Sequence, residues 1–165
     1  MTLRAKILLA QTPLAGALVL IAILSALSNA ALGRNAASIL QDNYRSVLAA
    51  ERMKEALERI DSAAMFIIAG ERKRGAEQAE QNLLRFEQAL ETQQTNITER
   101  GEPEATAALR RAWADYRGAY AHFAAGNDHT ALEAEYFKTM NPLFVATKTA
   151  ADRILDLNQD GRSRS

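Results

Sequence analysis

The sequence predicts an all-α fold, in which an N-terminal transmembrane helix continues into an up-down-up-down four-helix bundle. Three observations support this prediction. Only three prolines and eight glycines interrupt 165 residues that are rich in the helix formers Ala, Leu, Glu, Gln and Arg. The segment from Ile7 to Gly33 contains no charged residue. Beyond that segment, apolar residues recur at alternating steps of three and four, which is the spacing of one helix face.

Residues 1–33 are predicted to form a short cytoplasmic stub and a membrane anchor. The stretch Leu14–Leu27 is almost wholly aliphatic and lies inside the uncharged segment. About 20 apolar helical residues cross the roughly 30 Å hydrocarbon core of a bilayer. Because Arg4 and Lys6 precede the apolar run, the positive-inside tendency places the N-terminus in the cytoplasm and the following residues outside it. We therefore expect an inner-membrane protein whose helical bundle lies in the periplasm or outside the cell.

A cleavable signal peptide is the alternative interpretation of the same segment. Ser28-Asn29-Ala30 has the small-x-small pattern of a cleavage site. The apolar run is long for a signal peptide, however, and Gly33 is the only weak point in the helical pattern that follows. The sequence therefore favours an uncleaved anchor, and both interpretations export the rest of the chain.

Residues 34–158 are predicted to form the four-helix bundle, with helices over about 35–69, 76–99, 104–125 and 129–158. Each predicted helix has one apolar face. The faces of the first two helices consist of Val47, Ala50, Met53, Leu57, Ile60, Ala64 and Ile67, and of Ala79, Leu83, Phe86, Leu90, Gln93 and Ile97. Those of the last two consist of Leu109, Trp113, Tyr116, Tyr120 and Phe123, and of Tyr136, Met140, Leu143, Thr147, Ala150, Ile154 and Leu157.

Glycine and proline mark the ends of these helices. Gly70, Gly101-Glu102-Pro103 and Gly126-Asn127-Asp128 are predicted to form the three connections, with Asp128 as the cap of the last helix. Pro142 lies inside the last predicted helix and should kink or interrupt it. Because the fourth helix returns towards the membrane, we expect residues 159–165 to be a polar tail that leads to a second membrane helix beyond this chain.

Composition excludes several classes of function. The 20 basic and 20 acidic residues cancel and are interspersed, which argues against a nucleic-acid partner. The chain has no cysteine, so it forms no disulfide, thiolate metal site or cysteine nucleophile. The segment Gly70–Gly75 is only superficially similar to a phosphate-binding loop, because Ala76 follows where Lys and Ser or Thr are needed. The sequence contains no catalytic motif, and we expect no cofactor.

The two histidines do not predict a metal site. His122 and His129 are separated by Gly126, so a shared helix face cannot be assumed, and neither belongs to a His-x-Glu or Glu-x-x-His pair. A haem-binding bundle is a further alternative, for which Met65 and His122 are formally available as axial ligands. No Cys-x-x-Cys-His motif for covalent haem is present.

Two pairs of segments carry a resemblance to a known family. The first pair is Tyr44–Met53 and Ala64–Gly70, and the second is Asn141–Leu143 and Ile154–Gln159. With the arrangement of anchor and bundle, they resemble the N-terminal periplasmic sensor module of bacterial membrane histidine kinases of the alginate-regulator type. The resemblance implies a signal-input domain in a two-component system. Chemoreceptors with four-helix-bundle sensor domains share most of the pattern.

The chain departs from a complete kinase. Neither His122, which precedes Phe123, nor His129, which precedes Thr130, is followed by the acidic residue usual at a phospho-acceptor histidine. The resemblance therefore implies that the kinase activity belongs to a part of the protein outside this chain, or to a partner. The sensor domain of a chemotaxis receptor is one alternative, and a secreted or tethered structural or ligand-binding bundle without signalling output is another.

Arg45, Arg52 and Arg59 recur every seven residues and should line one stripe of the first bundle helix. One interpretation is a solvated face, on which Arg52 and Arg59 pair with Glu55 and Glu58. The other places the stripe at the interface of a homodimer, where arginines grip the carboxylate or phosphate of a small-molecule or envelope ligand.

Aromatic residues and the proline supply the remaining candidate sites. Trp113, Tyr116 and Tyr120, together with Phe123, have the spacing of bundle core and are alternatively the wall of a ligand pocket. Pro142, Ile154 and Leu157 are predicted to transmit the signal, because they lie in the helix that returns to the membrane.

Overall fold

The structure, a computed structural model, describes the backbone of residues 3–164 and the side-chain surroundings of residues 16–25 and 43–159. The described residues are all-helical and contain no strand, which confirms the predicted all-α class. The elements are α1 (Leu3–Ile68), α2 (Arg72–Gln94), α3 (Glu102–Ala125), α4 (His129–Glu135), a π-helix (Tyr136–Met140) and α5 (Asn141–Arg164). The chain divides into two compact units, Met1–Leu40 and Gln41–Ser165, which are described separately.

The N-terminal unit contains the predicted anchor. Every residue from 16 to 25 is exposed, and the six large aliphatic side chains in this segment are each 51–60 % exposed. In the part of the chain that the structure describes, no helix has an apolar stretch long enough to cross a membrane. The anchor predicted over residues 1–33 extends on both sides beyond the described side chains.

In the second unit, α1 and α2 run in opposite directions and pack closely near the turn that joins them. Gly70 takes a positive φ of 87° in this turn. A Cβ atom added to Gly75 would lie 2.7 Å from the Ala63 carbonyl oxygen, so only glycine fits here without a shift of the neighbouring helix. Further along, the Gln78 side-chain amide donates a hydrogen bond to the Arg59 carbonyl oxygen at 2.8 Å.

The other neighbouring helices are also antiparallel. Phe86 of α2 stacks on Trp113 of α3, with 3.7 Å between the ring centroids and 14° between the planes. The Thr147 hydroxyl of α5 lies 3.1 Å from the Ala112 carbonyl oxygen of α3. Lys148 of α5 pairs with Glu58 of α1 at 2.6 Å. In the described part of this unit, α1, α2, α3 and α5 all contribute buried residues to one hydrophobic core.

The predicted apolar faces form most of this core. All five predicted residues of α3 are buried, as are all those of α1 except the half-buried Val47. The predicted seam position of Gln93 is confirmed, because this side chain is fully buried. The end of the second helix was predicted wrongly: α2 stops at Gln94, and Ile97 is 41 % exposed.

The fourth predicted helix is interrupted, as Pro142 indicated, and the interruption lies just before the proline. Residues Tyr136–Met140 form a π-helix, in which the Asn141 N–H donates to the Tyr136 carbonyl oxygen five residues earlier. A proline lacks the N–H that would bond to residue 138 and its ring would clash there, and the wider π turn accommodates both defects. Asp128 caps α4 as predicted, accepting from the Thr130 N–H at 3.0 Å. At the other end α5 continues to Arg164, so most of the predicted polar tail is helical.

Candidate functional site

The predicted arginine stripe is exposed and makes none of the predicted ion pairs. Arg45, Arg52 and Arg59 are all exposed. Glu58 pairs with Lys148 instead of Arg59, because the neighbouring helix α5 brings that lysine within 2.6 Å. No ion pair joins Arg52 to Glu55 in the part of the chain that the structure describes. The homodimer interface remains a prediction.

Arg52 instead lines a groove together with an arginine of the next helix. A groove of about 340 Å³ runs between α1 and α2, and Arg52 and Arg85 both line it. Arg45 and Arg59 do not line this groove. The seven-residue spacing along α1 therefore could not identify Arg85 as the second arginine of this groove, because Arg85 belongs to α2.

The predicted aromatic residues lie in the core. Trp113, Tyr116 and Tyr120 are 4 %, 0 % and 5 % exposed, respectively. The hydroxyl groups of Tyr116 and Tyr120 have no hydrogen-bond partner within the described residues. Burial raises the pKa of Tyr120 to about 12 and raises that of Tyr116 still further above its ordinary value, so both phenols are neutral at physiological pH.

A carboxylate faces this aromatic layer. The Tyr136 hydroxyl, at the first position of the π-helix, lies 3.0 and 3.1 Å from the two carboxylate oxygens of Asp61. Burial raises the pKa of Asp61, and the hydrogen bond from Tyr136 only partly opposes this shift. Asp61 therefore ties α1 to the irregular segment of the last helix.

A second and larger polar cluster surrounds Glu102, at the start of α3. Glu102 is 0 % exposed and accepts four hydrogen bonds. Gln93 Nε2 and Asn158 Nδ2 donate to Oε1 at 2.7 and 3.0 Å. The backbone N–H groups of Thr98 and Glu99 donate to Oε2 at 2.7 and 2.9 Å. Burial alone would raise the pKa of Glu102, but these four bonds outweigh it and hold the pKa below its ordinary value.

The same cluster reaches α1 through the turn between α2 and α3. Asn43 Nδ2 donates to Glu99 Oε1 at 2.9 Å, and the Thr98 hydroxyl donates to Asn43 Oδ1 at 3.0 Å. The Ser46 hydroxyl donates to the Asn96 carbonyl oxygen at 3.0 Å. We call this set the Glu102 cluster; it comprises Asn43, Ser46, Gln93, Asn96, Thr98, Glu99, Glu102 and Asn158.

Two of the three residues predicted to transmit the signal, Ile154 and Leu157, lie next to the Glu102 cluster, and the third, Pro142, does not. The Ile154 carbonyl oxygen accepts from Asn158 Nδ2 at 2.9 Å, and Leu157 Cδ2 lies 3.8 Å from the Cβ position of Gly101. Ile154 and Leu157 thus pack beside the Glu102 cluster, whereas Pro142 is exposed at the start of α5. The sequence did not predict that Glu102 and Asn158 are hydrogen-bonded to each other. The one available signal was that a polar residue, Gln93, occupies a position on an otherwise apolar helix face.

The histidines form no metal site in the part of the chain that the structure describes. No group of three or more potential ligands is present among those residues. His122 Nδ1 lies 2.6 Å from Glu135 Oε1, and both His122 and His129 are exposed. Met65, the other member of the formal haem-ligand pair, is 38 % exposed.

Comparison with known proteins gives no match, either to a protein-family model, to a curated protein or to a solved structure.

Proposed function

We propose that this chain is the extracytoplasmic signal-input domain of a two-component sensor histidine kinase. In this proposal residues 1–33 anchor the chain in the inner membrane, and residues 34–158 form an up-down-up-down four-helix bundle in the periplasm that acts as a homodimer. A ligand or a state of the cell envelope changes the packing of the bundle. A small displacement of α5 then carries that change to the membrane and to a kinase outside this chain.

The exposed segment 16–25 supports the anchor. Its large aliphatic side chains point in every direction around the helix and are each more than half exposed. A helix that is apolar on all sides is stable when it is surrounded by lipid or by protein. The absence of any charge between Ile7 and Gly33 extends this apolar character over the length needed to cross a bilayer.

The antiparallel contacts support the bundle. Contacts join α1 to α2, α2 to α3, α3 to α5, and α5 to α1, and such contacts between helices joined by short turns favour an up-down-up-down bundle. The π-helix is a local irregularity within the fourth segment, which otherwise follows the predicted order.

The observation that carries the proposed mechanism is the Glu102 cluster. It joins the first and last helices of the unit, α1 and α5, to the turn between α2 and α3 through short, directional hydrogen bonds. A hydrogen bond weakens steeply once its length or angle departs from the narrow preferred range. A slide of α5 by about 1 Å would therefore break the Asn158–Glu102 bond, so the cluster favours discrete positions of α5 over continuous ones.

A fusion tests the signalling role. The full chain is joined, through a second membrane helix, to the cytoplasmic part of a histidine kinase, and autophosphorylation is measured in membranes. We expect Glu102→Gln and Asn158→Ala to shift the basal activity, because both loosen α5. Glu104→Gln changes an exposed glutamate in the same helical turn and should leave the activity unchanged. Equal activity in all three variants and the parent would refute the proposed mechanism.

Labelling tests the anchor separately. The chain has no native cysteine, so single cysteines report their own position. A membrane-impermeant maleimide applied to spheroplasts should label Asn127→Cys and should label Thr2→Cys only after the membrane is permeabilised. Labelling of Thr2→Cys without permeabilisation would contradict the proposed orientation.

A further inference from the structure

The groove between α1 and α2 has a buried floor and polar walls. Two small residues, Ala56 and Ala89, form part of the floor and are 2 % and 5 % exposed. Because neither side chain extends beyond Cβ, the two helices leave an opening of about 340 Å³ above them. That volume is within the range of about 300–1,000 Å³ usual for small-molecule sites.

One wall of the groove holds Arg85 through a buried amide. Asn82 is 4 % exposed and its Nδ2 donates to the Gln78 carbonyl oxygen at 2.7 Å. This bond fixes the amide orientation, which directs Oδ1 to accept from Arg85 Nη1 at 3.4 Å. The long bond occupies a single N–H of the guanidinium, whose other donors stay available to a ligand.

The opposite wall carries Arg52. Neither Arg52 nor Arg85 forms an ion pair within the part of the chain that the structure describes. Glu55 lines the same groove, so its charged groups sum to one net positive charge, two guanidinium groups against one carboxylate. Two guanidinium groups on opposite walls offer paired donors to the planar or tetrahedral oxygens of an anion.

We propose that this groove binds a small organic oxyanion, a carboxylate or a phosphate ester, between Arg52 and Arg85. The Ala56–Ala89 floor contacts the carbon skeleton of the ligand, and Gln88 and Glu55 take up its hydroxyl groups. The inference deepens the proposed function, on which it rests for its role as signal input: α1 carries both Arg52 and, nine residues earlier, Asn43 of the Glu102 cluster. A ligand held between α1 and α2 therefore acts on a helix that the cluster joins to α5.

Calorimetry on the full chain, purified in a non-ionic detergent, tests the site. The probes are succinate for the carboxylate class and glycerol 3-phosphate for the phosphate class, with glycerol and an equal ionic strength of sodium chloride as blanks. We expect at least one of the two anions to bind with a Kd of about 1 mM or tighter, as two charge-assisted contacts allow. The anion that binds more tightly identifies the class.

Arginine variants locate the binding. Arg52→Gln and Arg85→Gln should each weaken the Kd by about tenfold or more. Arg45→Gln and Arg59→Gln are matched controls, because both arginines are exposed on the same helix stripe as Arg52 but lie outside the groove. All four side chains are exposed, so circular dichroism should show an unchanged fold.

Two results would overturn the site. One is that neither anion binds at millimolar concentration, and the other is that the control variants weaken binding as much as Arg52→Gln does. Failure of the site is distinct from failure of the proposed function. If anion binding depends on Arg52 and Arg85 but Glu102→Gln leaves the kinase activity of the fusion unchanged, the site is supported and the signalling mechanism is refuted. The reverse result refutes only the site.

Discussion

Glu102→Gln is the substitution that most directly tests the described interior of this protein. The carboxylate is fully buried and accepts two hydrogen bonds on each oxygen. Glutamine has nearly the same shape, but one of the two oxygens becomes an NH₂ group that donates. With Gln93 and Asn158 oriented as they are in this structure, the new NH₂ group faces two donors either way: the side-chain amides of these two residues or the backbone N–H groups of Thr98 and Glu99.

The magnitude of the destabilisation follows from the two donors that lose their acceptor oxygen. Leaving a buried donor without a partner costs about 1–3 kcal/mol. Two such donors therefore lower the free energy of unfolding by about 2–6 kcal/mol. Urea unfolding of the full chain in detergent, followed by far-UV circular dichroism at neutral pH, measures this difference. The matched control is Glu104→Gln, which lies in the same first turn of α3 but is exposed, and which should change stability by less than about 0.5 kcal/mol.

The pH dependence gives the same experiment a second readout. Folding holds the pKa of Glu102 below its ordinary value of 4.5, so at acid pH the unfolded chain binds more protons at this residue than the folded one. The stability that the carboxylate contributes is fully present above about pH 4.5 and is lost as the pH falls towards the folded pKa. Glu102→Gln should remove this part of the acid slope. A loss of less than about 1 kcal/mol at neutral pH, with the acid slope intact, would refute the reasoning.

Three further predictions concern packing and the polar layer near the π-helix. Gly75→Ala should destabilise the chain by about 1–3 kcal/mol in urea unfolding, because the new methyl group would overlap the Ala63 carbonyl oxygen. The control is Gly118→Ala, whose methyl group has no atom within 4 Å and which should stabilise the chain by about 0.5–1 kcal/mol. Tyr136→Phe removes a hydrogen bond to a carboxylate and should cost about 1.5–3 kcal/mol; a smaller loss would show that water replaces the hydroxyl. Because folding raises the pKa of Asp61 above its ordinary 3.8, its contribution favours the folded state at low pH and declines as the pH rises through the folded pKa, so Asp61→Asn should flatten that decline in a stability-versus-pH series.

The core of α3 could be predicted from the sequence, whereas the end of α2 could not. Leu109 to Phe123 combine a regular spacing with large side chains, so one helix face had to be buried, and it is. At the end of α2, Ile97 continues the apolar spacing, but the helix ends at Gln94. The Thr92 and Thr95 hydroxyls donate to the carbonyl oxygens of Gln88 and Glu91 in the last two turns, at 2.9 and 3.1 Å. Hydroxyl groups that bond to helix carbonyl oxygens offer the backbone an alternative to further helical hydrogen bonds. The spacing of apolar residues gives no information about this effect.

The polar interior was the part least accessible to sequence reasoning. Glu102 lies between Gly101 and Pro103, a context typical of an exposed turn, and nothing nearby in the sequence predicts its burial. Its donors include Gln93 and Asn158, nine and 56 residues away, and they come together only when three segments pack. Residue spacing therefore identified the helix faces, while the pairing of polar groups across helices required the structure.

The Glu102 cluster contacts α5 at Asn158, and the Asp61–Tyr136 hydrogen bonds lie just before the start of α5. At Asn158 the helix is held by the Glu102 cluster, whose carboxylate has donors on both oxygens. At its other end α5 begins directly after the π-helix, where Tyr136 contacts Asp61 and the neighbouring Tyr116 hydroxyl lacks a partner among the described residues. A π-helix already departs from the regular bonding pattern, so it can take up a change in helix length or rotation at lower cost than a regular turn.

If α5 moves as proposed, the displacement should therefore be absorbed in Tyr136–Met140, and hydrogen exchange there should increase when Asn158→Ala releases the other end. Unchanged exchange in this segment, with Asn158 removed, would mean that α5 does not move as one body.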